Sequence, residues 1–144
     1  MKPIEQLDQF LQTHPEVEIF EVILHDLNGI HRGKWLPREQ IHKLFEGGYK
    51  MPQSTCSLDS WGRDLEELVA ATGDTDGICT AHPETLAIVP WARRPTAQIV
   101  VSMLSPDGQT DYPADPRVVL QQVIERYTKL GLTPVVASEM EFHL

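Results

Sequence analysis

Two kinds of hydrophobic pattern alternate along this sequence, and together they restrict the fold more than any other feature. Segments with strand-like composition, rich in Ile, Val, Leu and Phe and bounded by turn residues, are 18–25, 30–36, 85–89 and 97–104. Segments with apolar residues at helical spacing are 3–13, 37–45 and 115–130. Because the strands can share one sheet and the helices carry one apolar side each, we expect an α+β fold with helices packed on a mixed sheet.

The helix predicted over 115–130 has a sequence signal at each end. Asp115 is a candidate N-cap, Pro116 suits the first helical position, and Gly131 stands where a C-cap glycine belongs. After Pro134, residues 135–144 alternate like a strand, and the sequence ends within that pattern. We interpret this as a truncated second domain, and expect a first domain over 1–111 and the start of another over 112–144.

Turn residues organise the middle of the chain. Asp26-Leu27-Asn28-Gly29 separates the first two predicted strands, which predicts a β-hairpin. Residues 47–84 are rich in Gly, Ser, Thr and Asp, and we expect an irregular connection with one short helix at 65–71.

Composition excludes several classes of protein. The formal charge of -9 and the scattered Lys and Arg residues argue against a nucleic-acid partner. Cys56 and Cys79 form no C-x-x-C pattern, so we expect two reduced cysteines and neither a zinc site nor a disulfide. No apolar run has membrane-spanning length, so we expect a cytoplasmic protein without a membrane partner.

Glu139 and Glu141 are two residues apart in the last predicted strand. Side chains at this spacing lie on one face, with Cβ atoms about 7 Å apart. Their charges would repel by roughly 2 kcal/mol at an effective dielectric constant of about 20. Exposure to solvent would relieve this repulsion, and so would a divalent cation such as Mg²⁺ or Mn²⁺, which prefers oxygen ligands. Both explanations remain open from spacing alone.

The order of motifs at this end resembles the domain junction of the glutamine synthetase family. Asp115-Pro116-Arg117 opens a helix, Gly131-Leu132-Thr133-Pro134 follows it, and Ser138-Glu139-Met140-Glu141-Phe142 comes next. The resemblance implies that Glu139 and Glu141 are metal ligands in a full-length ATP-dependent ligase. There, Mg²⁺ or Mn²⁺ and ATP would activate glutamate for attack by ammonia or a small amine. The resemblance also implies a homo-oligomeric ring with active sites between subunits.

The resemblance extends upstream. Asp26-Leu27-Asn28-Gly29 with Arg32-Gly33-Lys34 resembles a hairpin of the family's amino-terminal β-grasp domain. Further matching strings, each of low specificity, are Gly73-Asp74-x-Asp76, Pro83-x-Thr85-Leu86 and Val89-Pro90-Trp91. Their shared order implies a β-grasp-like sheet over residues 1–111.

One segment departs from the family pattern. Ammonia-using members typically carry Phe-Asp-Gly-Ser-Ser, whose Asp helps to bind ammonium, where this chain has Lys50-Met51-Pro52-Gln53-Ser54-Thr55. Asp59, further along, is a weak candidate replacement. The missing acid favours the branch that resembles γ-glutamylpolyamine synthetases, which includes glutamate–putrescine ligases.

Other interpretations are weaker. Asp74-Thr75-Asp76-Gly77 is similar to part of a calcium loop but lacks its further ligands, so we expect a plain turn. Three hypotheses for function remain. The first is a ligase fragment, inactive alone and without a bound cofactor of its own. The second is a non-catalytic β-grasp interaction module, and the third, with least support, is a Mg²⁺-dependent hydrolase.

Overall fold

The computed structural model describes residues 1–143, which form one five-stranded sheet with helices beside it. The strands are β1 (Ile19–His25), β2 (His31–Pro37), β3 (Lys50–Pro52), β4 (Asp76–Ile88) and β5 (Thr96–Leu104). The α-helices are α1 (Pro3–Thr13), α2 (His42–Phe45), α3 (Glu66–Thr72) and α4 (Pro116–Lys129). The predicted α+β class is confirmed. Within residues 1–143, no helix combines the length and the apolar character needed to cross a membrane.

The strands lie in the order β2-β1-β5-β4-β3. β1 and β5 run parallel, and every other neighbouring pair runs antiparallel. Burial alternates along β5: Ala97, Ile99, Val101 and Met103 are inaccessible to solvent, and the residues between them are only partly covered. One face of the sheet therefore carries the core, as expected for a strand with period two.

The core lies between that face and the first two helices. Leu7 of α1 and Leu44 of α2 belong to the same buried cluster as Phe20 and Val22 of β1. Both helices contact β4 and each other. Since full burial of one such side chain stabilises the fold by about 1.5–3 kcal/mol, this cluster is the main source of stability for the sheet. The helix predicted over 3–13 is confirmed.

Asp26 holds the hairpin between β1 and β2. Its Oδ1 accepts the backbone N–H groups of Asn28 and Ile30, each at 2.9 Å, and its Oδ2 accepts Nε of Arg32 at 2.9 Å. Burial raises the pKa of this carboxyl, but the hydrogen bonds from Ile30, Arg32 and Asn28 outweigh it and leave the pKa below its usual value. The predicted hairpin is confirmed, and the Asp and Arg of the two hairpin motifs have a structural role.

Gly33 has a structural role as well. It pairs with Ile23, and its φ of 150° together with the close approach of β1 leaves no room for a side chain. A Cβ atom at this position would lie 1.8 Å from the carbonyl oxygen of Val22, so only glycine fits.

The structure corrects the prediction of one helix over 37–45. The segment instead contains a 3₁₀ turn at Arg38–Gln40 followed by the short α2. The N–H of Ile41 bonds to the carbonyl of Arg38, three residues back, which tightens the first turn. The Arg38 guanidinium also donates to the carbonyls of Leu11, His14 and Val17, which fixes the turn against the end of α1.

The irregular connection predicted over 47–84 is wrong in part. It contains β3 and the first half of β4, while α3 matches the short helix expected at 65–71. β4 pairs with β5 through Ile78–His82, and the register shifts between His82 and Ala87. Thr85 lies in this irregularity, where its hydroxyl donates to the carbonyl of His82 and accepts the N–H of Val100. Its side chain thus replaces a missing ladder hydrogen bond beside Pro83.

Candidate functional site

The predicted metal ligands lie beyond the packed sheet. Glu139 and Glu141 are exposed, in a segment, 132–143, that has neither helix nor strand. Val135 and Met140 nearby are 93% and 90% exposed. The strand predicted from residue 135 is therefore wrong for the described residues, and its last residue, 144, lies outside them. A strand requires a partner for its backbone N–H and carbonyl groups, and no segment within 1–143 pairs with this one.

The donor atoms of this pair suit a hard divalent cation but do not complete its shell. Carboxylate oxygens are the ligands that Mg²⁺ and Mn²⁺ prefer, and Mg²⁺ takes about six oxygens in octahedral geometry. Among residues 1–143, no group of three or more His, Cys, Asp or Glu side chains could hold a metal ion. Neither glutamate takes part in the salt bridges of that range. A cation held by this pair would need its remaining ligands from outside residues 1–143.

Asp115 fixes the position of α4, which leads into this acidic segment. Its carboxylate is fully buried; Oδ1 accepts the N–H of Arg117 and Oδ2 accepts the N–H of Met103, both at 2.8 Å. Pro116 occupies the first turn, and Gly131, with φ of 72°, follows the last. The capped helix predicted over 115–130 is confirmed. The Asp115 side chain thus connects β5 to α4, the helix that precedes Glu139.

The apolar stripe of α4 is mostly uncovered. Leu120 and Leu130 are 59% and 74% exposed, while Val118 is the buried residue of this helix. The helical period was predicted correctly, but within residues 1–143 nothing covers the stripe at these positions.

The segment that departs from the family pattern is packed against the turn before β4. Gln53 is buried, its N–H bonds to the carbonyl of Thr75 at 3.2 Å, and the N–H of Ser54 bonds to Oδ1 of Asp74 at 3.2 Å. Asp74 has a φ of 47° and lies in a turn, but the turn expected over 74–77 is wrong in its second half, because Asp76 and Gly77 begin β4 and pair with β3. Residues 50–55 therefore offer the buried amide of Gln53 and carry no carboxylate.

The carboxylate of the weak candidate Asp59 is bonded within its own loop. Its Oδ1 accepts the N–H groups of Trp61 and Arg63 at 2.8 Å, and its Oδ2 accepts Nε of Arg63 at 2.9 Å. The backbone hydrogen bond from Arg63 is the largest influence on its pKa, which lies below the usual value despite partial desolvation. Both oxygens are used within the loop, so this carboxylate stabilises a turn.

Sequence reasoning missed a polar cluster on the second face of the sheet. His82 Nε2 lies 2.8 Å from Ser102 Oγ, and His82 Nδ1 lies 3.4 Å from Glu84 Oε1. Burial lowers the pKa of His82, and the nearby Arg117 guanidinium lowers it further. No local signal could have found this contact, because the pairing of β4 with β5 brings together residues twenty positions apart.

Comparison with known proteins assigns the chain to a family. It is 33% identical over 144 residues to gamma-glutamylputrescine synthetase PuuA of Escherichia coli K12. The match covers 97% of this chain and 30% of that protein. It is 31% identical over 124 residues to glutamine synthetase of Pyrococcus abyssi, with 86% of this chain and 25% of that protein covered. The chain therefore spans less than a third of the length of either relative. No family model matches it.

Solved structures agree in fold. A GmaS–ADP complex superimposes with a TM-score of 0.67 at 22% identity, over 86% of this chain and 26% of that one. GmaS without ligand gives a TM-score of 0.66. Because identity is low, these two neighbours support the fold alone. With this fold and with relatives matched over most of its residues, the chain belongs to the glutamine synthetase family.

Proposed function

We propose that this chain is the amino-terminal part of an ATP-dependent glutamate–amine ligase. The observation that carries the proposal is the 33% identity to a gamma-glutamylputrescine synthetase across 97% of the chain. Since the sheet ends at Leu104, a match over 97% of the chain extends well past it, which favours a ligase over an isolated β-grasp interaction module. We place the domain boundary near residue 111, where Leu104 and Asp111 form an isolated β-bridge before α4.

In this proposal Glu139 and Glu141 provide two of the carboxylates that hold Mg²⁺ or Mn²⁺. The support is their exposure in the chain alone, their freedom from internal salt bridges and the helix that leads into them. Such cations neutralise charge on ATP phosphates during phosphoryl transfer. In the overall reaction glutamate, ATP and an amine give a γ-glutamyl amide, ADP and phosphate. The rest of the protein would supply the remaining metal ligands, which this chain lacks within its described residues.

The amine in this proposal is larger than ammonia. Gln53 is buried by the turn at Thr75, and both oxygens of Asp59 are bonded within their own loop. This segment then presents no free carboxylate to an ammonium ion. A diamine or polyamine such as putrescine, recognised by the rest of the protein, fits this arrangement better. The proposal includes assembly into a homo-oligomeric ring in the cytoplasm, where ATP is available.

A chimaera tests the proposal. Residues 1–144 would replace the matched segment of the Escherichia coli relative, and phosphate release would be followed with ammonia, putrescine, spermidine and ethanolamine. We expect amine-dependent release that is greatest with a diamine or polyamine, and none from the 144-residue chain alone. Release by the isolated chain, or a folded oligomeric chimaera that is inactive with every amine, would contradict the proposal. Gel filtration and thermal unfolding of the chimaera separate lost function from lost folding.

A further inference from the structure

A cleft separates the second face of the sheet from α4. Its volume is about 360 Å³, and its floor is formed by Thr80, His82 and Ser102. Its wall on the helix includes the polar residues Arg117 and Gln121 and three apolar side chains: Val118, Leu120 and Ile124. The cleft thus has a polar, positively charged part beside an apolar part.

Arg117, which lines the cleft, has a hydrogen-bond donor that residues 1–143 leave unused. Its Nε is buried and has no acceptor among these residues. Arg117 and His82 both line the cleft, and the positive charge of Arg117 lowers the pKa of His82. A buried donor without a partner carries a desolvation cost that an incoming acceptor would remove.

The carboxylates around Arg117 do not satisfy it. Asp115 is occupied by the backbone N–H groups of Met103 and Arg117. Asp111 lines the cleft but is exposed, so water and salt screen its charge. Glu84 lies beside the far nitrogen of His82, at 3.4 Å. Although the chain has a net charge of -9, the Arg117 guanidinium makes this cleft locally favourable for a negative charge.

We propose that this cleft binds a small organic carboxylate, with its carboxylate against Arg117 and Ser102 and its aliphatic part against Leu120 and Ile124. A guanidinium can donate two parallel hydrogen bonds to a carboxylate. A carboxylate with an aliphatic part also contacts the apolar wall, which phosphate or a halide cannot do. The apolar wall, which faces solvent in the free chain, gains burial from the aliphatic part. This site is separate from Glu139 and Glu141 and does not depend on the proposed ligase activity.

The Ser102–His82 contact connects this binding to protonation. With Nδ1 of His82 directed at Glu84, neutral His82 accepts the Ser102 proton at Nε2. When His82 is protonated, Nε2 donates to Ser102 Oγ instead, and the serine hydroxyl is free to donate into the cleft. The charged groups facing His82 are Glu84 from β4, Arg117 and Asp115 at the start of α4, and Asp111 at the rim. A bound carboxylate adds a negative charge beside the ring and therefore favours its protonated form.

Nuclear magnetic resonance of the 144-residue chain with isotope-labelled histidine tests the site. Butyrate is the probe, inorganic phosphate tests the need for an aliphatic part, and 1-butanol tests the need for charge. We expect saturable shifts of the His82 ring signals with butyrate, a higher pKa of His82 in its presence, and at least several-fold weaker effects of the other two compounds. Equal binding of phosphate or butanol, or no saturable effect of butyrate, would overturn the assignment.

Three variants make the test specific. Arg117→Gln should weaken butyrate binding about tenfold or more, because a charge-assisted contact is lost. Arg126→Gln, an exposed position on the same helix, should leave binding unchanged. Leu120→Asp adds a like charge to the apolar wall at a position 59% exposed, so it should abolish binding without unfolding the chain. Wild-type affinity in a folded Arg117→Gln or Leu120→Asp variant would overturn the proposal.

Discussion

The sheet and the carboxyl-terminal region differ in how many of their apolar and polar groups find partners within residues 1–143. In the sheet, Phe20 and Ile99 are completely buried, and the buried Asp26 has hydrogen-bond partners for both oxygens. From Val119 onward most apolar residues are exposed, including Leu130 at 74% and Phe142 at 77%. The sheet therefore contains the contacts for its own stability, whereas α4 and the acidic segment have an apolar surface suited to further packing. The proposed domain boundary near residue 111 predicts this contrast.

The largest difference between the two regions should appear in the loss of stability when an apolar side chain is truncated. Ile99→Ala removes a fully buried side chain on β5, and we expect it to lower the free energy of unfolding by about 3 kcal/mol. Leu120→Ala on α4, where the side chain is 59% exposed, should change it by less than about 0.5 kcal/mol. Urea denaturation of both variants measures the difference. Similar losses would mean that α4 is packed as tightly as the sheet.

Asp115 connects the two regions, so its removal should have the next largest effect. Asp115→Ala leaves the N–H groups of Met103 and Arg117 without acceptors, and we expect a loss of about 2 kcal/mol. Asp107→Ala is the matched control, since its carboxylate also accepts two backbone N–H groups, from Gln109 and Thr110, but in an exposed turn. Denaturation should show a clearly smaller loss for the control. Equal losses would argue against Asp115 as the joint.

Half-buried histidines of β1 and β4 should give a smaller, pH-dependent effect. The pKa values of His25 and His82 lie below the usual 6.5, mainly because of burial. As the pH falls, the unfolded chain binds protons at these rings before the folded chain does. The stability that the two neutral rings contribute is therefore complete above about pH 6.5 and is lost as the pH falls from there through their lowered pKa values.

A single histidine variant checks this dependence. His82→Gln should flatten the fall in melting temperature between neutral and mildly acidic pH, because one of the two titrating rings is removed. His143→Gln, in the exposed acidic segment, is the control and should leave the profile of the wild-type chain. An unchanged slope in His82→Gln would contradict a lowered pKa for that ring.

The two cysteines should give a yes-or-no result rather than a graded one. Both thiols are fully buried, and desolvation by burial raises the pKa of each to about 12. Because the thiolate is the reactive form, we expect Cys56 and Cys79 to resist an alkylating reagent in the folded chain and to react after denaturation. Rapid labelling of the folded chain would show that the sheet core opens more readily than its packing indicates.

How much the sequence could predict depended on whether the signal was local. The Asp26 turn and the ends of α4 were predicted because one cap or glycine within a few residues determines each. The first half of β4 was missed, because it forms a strand through pairing with segments distant in sequence, β3 on one side and β5 on the other. Likewise, the strand predicted around Glu139 requires a partner that residues 1–143 do not contain, so its alternating pattern alone could not produce it.

The candidate site followed the same rule. The identity of Glu139 and Glu141 as an acidic pair was visible in the sequence, and their role as metal ligands stays a proposal. The Asp59 loop and the His82–Ser102 contact depend on how side chains meet in three dimensions, which no residue spacing indicated.

The role of the acidic pair is the claim that most needs a direct test. In the chimaera with the Escherichia coli relative, Mn²⁺ would be titrated against amine-dependent phosphate release for wild type, Glu141→Gln and the control Glu125→Gln, an exposed acid on α4. Loss of residues that only orient metal ligands costs about 10–100-fold in affinity, so loss of a ligand should raise the Mn²⁺ requirement by at least about tenfold. We predict that increase, with lower activity, for Glu141→Gln and an unchanged titration for Glu125→Gln. A Glu141→Gln protein with the Mn²⁺ dependence and activity of wild type would contradict the account.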